Sequence, residues 1–265
     1  MKIITVINDK NHAGFALLRL SCVLNGLELL VLVSGRKEFA SNRIKDELLK
    51  GFLSRNLPDD EIILFTDGND AIMMANEEEI LKKYHRVGKE LVFSTETVCW
   101  PDPELASQYP VMESGPYRFL NSGGFLGRAG TIREFLEDDV SGESGFSGSN
   151  QYLWTKRYFN HPDRIGLDTR CQIFHTFSPE LGSAYLTEDS EAVQWAYYLF
   201  MKEWFRSGFI IRKSRIFSKV ANSWPCQAHF NGFSKMLMDE EIVDMVLAMA
   251  PESFPTTFVF DAYSG

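Results

Sequence analysis

Residues 62–70 read Ile-Ile-Leu-Phe-Thr-Asp-Gly-Asn-Asp. The apolar run Ile62–Phe65 has the length and bounding of a buried strand. It stops at two carboxylates three apart, Asp67 and Asp70. Gly68 and Asn69 between them tolerate positive φ, so the spacing predicts a tight turn. Carboxylates at the carboxyl end of a buried strand sit where open α/β sheets bind their ligands. Hard oxygen ligands there suit Mg²⁺ or Mn²⁺, and such an ion would hold a diphosphate. A solvated Asp-Gly turn is the other reading of the same residues.

Working outward, Ile3 to Ile7 reads as a first strand. Residues 13–25 carry Phe15, Leu18, Leu20, Val23 and Leu24 at helical spacing and stop at Asn25-Gly26. A second strand is predicted over 27–33 and a helix over 42–54, with Ile44, Leu48, Leu49 and Phe52 on one face. The strand over 61–66 ends in the acidic turn, and a helix over 77–86 and a strand over 90–95 follow. This alternation predicts an α/β fold with a mainly parallel sheet and helices on both faces. Beyond residue 96 the pattern changes. Residues 97–130 are rich in Pro, Gly and aromatics, and 141–149 read as a surface loop. Helices are predicted over 150–159, 189–206 and 236–249, with a strand near 172–177. With no internal repeat and no clean linker, residues 1–265 read as one domain with an elaborated second half.

Composition narrows the function classes. The net charge of −9, from 27 basic and 36 acidic residues, argues against a general nucleic-acid binder, which carries a basic patch. It leaves room for a phosphate-bearing small molecule held by a few lysines and one metal ion. Cys22, Cys99, Cys171 and Cys226 show no CxxC spacing, which argues against a zinc site. Spacing leaves two disulfides open, but single cysteines in apolar stretches are more often buried thiols. Met1-Lys2 leads straight into the first strand, too short for a secretory leader, and no apolar run approaches the roughly 20 residues of a membrane span. The expectation is a soluble protein, or a domain cut from a longer one.

Residues 93–127 supply a more specific pattern. Phe-Ser-Thr-Glu-Thr-Val-Cys-Trp-Pro (93–101), Gln-Tyr-Pro (108–110) and Arg-Phe-Leu-Asn-Ser-Gly-Gly-Phe-Leu-Gly (118–127) closely resemble the N-terminal glycosyltransferase domain of the procollagen lysyl hydroxylases. Asp67-Gly68-Asn69-Asp70 falls at that family's acidic metal motif. Leu167-Asp168 with Cys171-Gln172-Ile173-Phe174 matches a later block, and His229-Phe230-Asn231-Gly232 with Lys235 the final one. The resemblance runs in order along nearly the whole chain. It implies a GT-A type Rossmann-like glycosyltransferase fold, Mn²⁺ and a UDP-sugar donor. In the family, glucose passes from UDP-glucose to galactosyl-hydroxylysine of collagen with retention of configuration, in the lumen of the endoplasmic reticulum. The absence of a leader here also fits a cytosolic, viral or microbial protein.

The resemblance assigns roles by position. Asp67, Asp70 and His229 are the expected metal ligands; an imidazole is an acceptable Mn²⁺ ligand beside carboxylates. Asn231, Gly232 and Lys235 are expected around the diphosphate, with Gly232 allowing close backbone approach and Lys235 neutralising the leaving group. Asn121, in Asn121-Ser122-Gly123-Gly124, is expected beside the donor sugar; those residues also read as a turn between two strands. Trp100 matches an aromatic that covers the sugar site, with a core Trp as the other reading. Glu96 is expected at a sugar hydroxyl, Asp168 near sugar or acceptor, and Val6, Ile7 and Asn8 around the uridine. Two positions depart from the family. Asn69 stands where an aromatic usually stacks on uracil. Gly148-Ser149-Asn150 stands where a run of aspartates precedes Gln151-Tyr152-Leu153-Trp154-Thr155, so Asn150 brings no negative charge to the acceptor side. Asp138 and Asp139 are the nearest acids in sequence. The expected activity is glucosyl transfer to a collagen-type acceptor. The alternatives are another sugar or acceptor, or a nucleotide-sugar-binding domain with little activity.

Overall fold

The computed structural model describes residues 1–35, 41–111, 115–138, 140, 145–146, 148–177, 191–250 and 263–264. Most of the loop expected over 141–149, Asp139 and the first residues of the helix expected over 189–206 lie outside the described residues.

The first half alternates as predicted: β1 (Lys2–Ile7), α1 (Ala13–Leu24), β2 (Leu29–Val33), α2 (Arg43–Asn56), β3 (Ile62–Thr66), β4 (Ala71–Met73), α3 (Glu77–Val87) and β5 (Leu91–Glu96). Then come β6 (Phe119–Arg128), α4 (Ala129–Glu137), α5 (Asn150–Asn160), β7 (Ile165–Leu167), β8 (Phe174–Thr176) and α6 (Glu191–Gly208). The chain ends with β9 (Phe209–Arg212), β10 (Arg215–Ser218), β11 (Gln227–His229), α7 (Glu240–Leu247) and β12 (Tyr263–Ser264). Element ends follow local chemistry. In α3 the Asn76 side chain caps the start, Glu77, Glu78 and Glu79 fill the first turn, and Gly88 at φ 68° closes the end.

The central sheet has the order β12-β2-β1-β3-β6-β5-β7. Parallel pairs join β12 to β2, β2 to β1, β1 to β3 and β5 to β7; β6 runs antiparallel to both β3 and β5. This is the expected mainly parallel, GT-A type Rossmann-like sheet. Its inner strands are rich in apolar residues because both faces are covered. Consecutive residues point to opposite faces, and the two cores show it. Ile4, Phe65, Phe93 and Phe125 pack with Leu49 and Leu53 of α2, Phe135 of α4 and Trp154 of α5. Ile3, Leu64, Val92 and Leu126 pack on the other side with Leu18 and Cys22 of α1 and Ile80 of α3. Phe65 stacks on Phe125 with ring centroids 4.7 Å apart. The four cysteines are buried free thiols, and no described helix is long and apolar enough to cross a membrane.

A second sheet, β4-β11-β8, stands beside the first. β11 runs antiparallel to β4 and sets His229 opposite Ala71. The Phe230 amide then donates to the Asp70 carbonyl at 2.7 Å.

Three local expectations need correction. Asn121 to Gly124 is no turn; it lies inside the ten-residue strand β6. The pairing with β5 slips there, from Phe93↔Phe125 to Ser94↔Asn121, and the glycines serve the close approach of β11. A Cβ on Gly123 would fall 2.1 Å from His229 Cε1, and one on Gly124 2.8 Å from Gln227 Oε1. At the acidic turn, neither Gly68 nor Asn69 adopts positive φ. Gly68 is needed because a Cβ would fall 2.4 Å from Ile7 Cγ2. The helix expected over 236–249 divides into a 3₁₀ turn (Gly232–Leu237) and α7, because the Asp239 carboxylate accepts the Glu241 amide and starts a new helix.

The acidic turn also rests on α1. A Cβ on Gly14 would lie 1.8 Å from the Asn69 carbonyl oxygen, so backbone must shift to admit it. Gly14→Ala is expected to cost about 1–3 kcal/mol by overpacking, measured as a lower midpoint of thermal or urea unfolding. An unchanged midpoint would show that the turn yields freely.

Candidate functional site

Asp67 leaves β3, Asp70 enters β4 and His229 ends β11. Their ligand atoms all lie within 4.8 Å of one another. His229 Nε2 is 3.4 Å from Asp70 Oδ1 and 3.7 Å from Asp67 Oδ2. Its Nδ1 lies 3.2 Å from Asn121 Oδ1, so the tautomer protonated at Nδ1 donates there and turns the Nε2 lone pair toward both carboxylates. Nε2 is buried and has no hydrogen-bond partner. A buried ring nitrogen facing two carboxylates is an O,O,N donor set, with Asn121 fixing the ring as metal-bound histidines require. These residues fit Mn²⁺ or Mg²⁺.

Two lysines balance the acids. Lys45 of α2 reaches Asp67 Oδ1 at 2.6 Å, and Lys235 reaches Asp70 Oδ2 at 3.0 Å. Burial alone would raise the Asp70 carboxyl, but the charges of His229, Lys235 and Lys45 hold it well below the usual range. For His229 burial opposes the charged form, and the Asp70 and Asp67 carboxylates outweigh it, so the net direction is upward. A divalent ion would displace that proton.

This cluster lies in a cleft of about 550 Å³ whose lining also includes Glu96, Trp100, Asn121, Ser122, Asn150, Gln151, Tyr197, Asn231, Gly232 and Phe233. A chain of hydrogen bonds links part of that lining. Asn231 Nδ2 donates to Glu96 Oε2 at 3.0 Å, and Gln151 Nε2 donates to Glu96 Oε1 at 2.5 Å and to the Trp100 carbonyl at 3.0 Å. Gln151 Oε1 accepts the Ser122 amide, and the Ser122 hydroxyl donates to Asn150 Oδ1. Asn150 Nδ2 and Trp154 Nε1 both donate to Asp46 Oδ1 at 3.3 Å. Burial pushes Glu96 up to about 7, against hydrogen bonds from Gln151, Asn121 and Asn231. Burial likewise pushes Asp46 up to about 6, against the Asn150 and Trp154 hydrogen bonds and the Arg157 charge.

The structure thus gathers Asp67, Asp70, Asn121, Asn150, His229, Asn231, Gly232, Lys235 and Trp100 in one cleft. Trp100 is 65% exposed, so it is not a core residue. Gly232 adopts φ 60°, which favours glycine. Other expected site residues lie elsewhere. The Asp168 carboxylate is taken up by the backbone amides of Gln172, Ile173 and Phe174 at 2.6–3.0 Å; it pins the approach to β8 and does not line this cleft. Val6 belongs to the core on the α2 face, and Ile7 packs with Phe15 and Val31. Neither of them, nor Asn8 or Asn69, lines the cleft. The side chain of Asp138 accepts from His161 and takes no part in the cleft. Lys45 and Asp46 were not legible as site residues, because on α2 they read as the solvated face of an amphipathic helix.

The family model for the PLOD GT domain matches residues 1–204. An uncharacterised protein of Acanthamoeba polyphaga mimivirus is 28% identical over 228 residues, covering 82% of this chain and 43% of that protein. Procollagen-lysine,2-oxoglutarate 5-dioxygenase 1 of Bos taurus is 34% identical over 157 residues, covering 57% of this chain and 21% of that protein. The multifunctional procollagen lysine hydroxylase and glycosyltransferase of Rattus norvegicus is 36% identical over 146 residues, 51% of this chain and 18% of that protein. The chain therefore spans less than half the length of each. A crystal structure of a glycosyltransferase involved in glycosylation of the major capsid of PBCV-1 superposes with a TM-score of 0.47 at 9% identity, covering 94% of this chain and 98% of that one.

The raised Glu96 carboxyl sets a pH dependence. Its pKa lies at about 7 in the folded protein against the ordinary 4.5 of a glutamate, so the folded state holds a proton that the unfolded state releases. Stability from this group is present below about pH 4.5 and is lost as pH rises through 7. At roughly 1.4 kcal/mol per unit, the difference is on the order of 3 kcal/mol. Glu96→Gln is expected to flatten the pH dependence of the unfolding free energy over that window; an unaltered profile would show that Glu96 ionises normally.

Proposed function

This chain belongs to the PLOD GT domain family, and from that premise we propose a metal-dependent, retaining transfer of glucose from UDP-glucose to a galactosyl-hydroxylysine, collagen-type acceptor. The observation that carries the reading is the buried His229 Nε2 facing Asp67 and Asp70, with the three ligand atoms within 4.8 Å of one another. Asp67, Asp70 and His229 would hold Mn²⁺. When bound, the ion neutralises charge on a diphosphate leaving group.

The rest falls to the chain's own groups. Lys45 and Lys235 are held at the cluster by the same carboxylates, so two ammonium groups stand ready for phosphate oxygens. Charge that develops on the departing UDP is stabilised by such preorganised cations. The turn at Gly232 lets backbone approach the diphosphate. Asn121 and Asn231 offer amides to sugar hydroxyls. Glu96, which titrates near neutrality, donates to or accepts from a hydroxyl within the working pH range. Asn150 and Trp100 stand at the sugar side of the cleft.

One observation favours a second reading, a transferase of the same donor class acting on a different acceptor. Asn150 is neutral, and its amide is engaged by Asp46 and Ser122.

The test is release of UDP from UDP-glucose and UDP-galactose with Mn²⁺, with and without galactosyl-hydroxylysine peptides. Release from UDP-glucose that rises with these peptides is the expected result. Release raised only by other glycosides selects the second reading. Failure of every donor, despite metal-dependent UDP binding, overturns both. Asp67→Ala and His229→Ala are each expected to weaken Mn²⁺-dependent UDP binding by more than about tenfold, read by calorimetry; unchanged binding in both would refute the site.

A further inference from the structure

The cleft is chemically divided. Its charged cluster is gathered around Asp67, Asp70 and His229, whereas Val98, Trp100, Tyr197 and Phe233 give the same cleft an apolar, largely aromatic stretch of wall. Phe233 is 52% exposed, although burying a Phe side chain would gain about 1.5–3 kcal/mol. It is held in that position. The 3₁₀ turn that carries it is pinned by the buried Ser234, whose hydroxyl donates to the Asn231 carbonyl at 2.8 Å. Tyr197 of α6 meets the Phe233 ring edge-on, with centroids 5.5 Å apart. Phe233 thus offers an open ring, braced from the side, four residues after His229.

We propose that Phe233, braced by Tyr197, is the platform on which a hexose ring of the acceptor glycoside stacks. This rests on the transferase reading of the cleft. The occupant follows from what the cleft offers together. A pyranose has an apolar C–H face and a rim of hydroxyls. An aromatic wall takes the first, and neutral hydrogen-bonding groups (Asn121, Asn150, Gln151 and Asn231) take the second. A phosphate would go to Lys45 and Lys235 instead.

The full chain is titrated with methyl β-galactopyranoside and methyl β-glucopyranoside, and binding is read by saturation-transfer NMR, which needs no turnover. Expected is transfer from aromatic protons to the C–H face of at least one glycoside. Phe233→Ser, at an exposed position, is expected to weaken that binding by about tenfold while Mn²⁺-dependent UDP binding persists, and Phe233→Trp to restore it. The proposal is overturned if the wild-type chain binds neither glycoside, or if Phe233→Ser leaves glycoside binding intact. It is also overturned if the variant loses UDP binding in parallel, for then the ring stacks on uracil. Glycoside binding that depends on Phe233, in a chain that never releases UDP, would sink the transferase reading and leave the platform standing.

Discussion

The pairing of β11 with β4 is the constraint on which the site depends. The register sets His229 against Ala71, and the Phe230 amide donates to the Asp70 carbonyl. Two segments far apart in the chain are thereby held at fixed spacing. The ring nitrogen can face the carboxylates only while that pairing holds. The glycines of β6 belong to the same constraint. Gly123 and Gly124 carry no side chain where His229, Gln227 and Phe174 pass, so the second sheet lies directly against the first.

Burial around this junction makes its electrostatics strong. Two carboxylates, two ammonium groups and an imidazole share one cluster, in which Asp70 and His229 are buried and little screened while Lys235 stands open to water. Each lysine is paired to one carboxylate, which offsets repulsion between Asp67 and Asp70 and keeps cations beside the place where a diphosphate's charge would fall. The arrangement suits exchange of partners more than static bonding. A divalent ion held by the carboxylates would free the ammonium groups for phosphate.

Away from the cluster the cleft is organised by side-chain hydrogen bonds ending at the carboxyls of Glu96, which is buried, and Asp46, which is partly so. Glu96 and Asp46 both titrate well above ordinary carboxylates because burial penalises their charged forms. Asp46 bears on the departure at Asn150. Asp138 is turned to His161, and α2 brings a carboxylate to the Asn150 amide from another part of the chain.

Much of this was legible in local pattern. Ile62 to Phe65 and Ile3 to Ile7 are buried strands because period and length leave few alternatives. Asn25-Gly26 marks a helix end through backbone chemistry that acts within a few residues. Asp67 and Asp70 stood out because they end a buried strand, and His229, Asn231 and Lys235 through resemblance. The rest needed the tertiary structure. Gly68 looked like a positive-φ residue and is instead a space for Ile7. Asn121 to Gly124 looked like a turn and is a strand, its glycines required by a neighbouring sheet. Asp168 looked like a site residue and is a backbone cap. Lys45 and Asp46 looked like solvent-facing helix positions and are partners of Asp67 and Asn150. Periodicity and capping are short-range, so the linear chain reports them. Which side chains share a buried, poorly screened space depends on strand register and sheet crossing, and these exist only once the chain has folded.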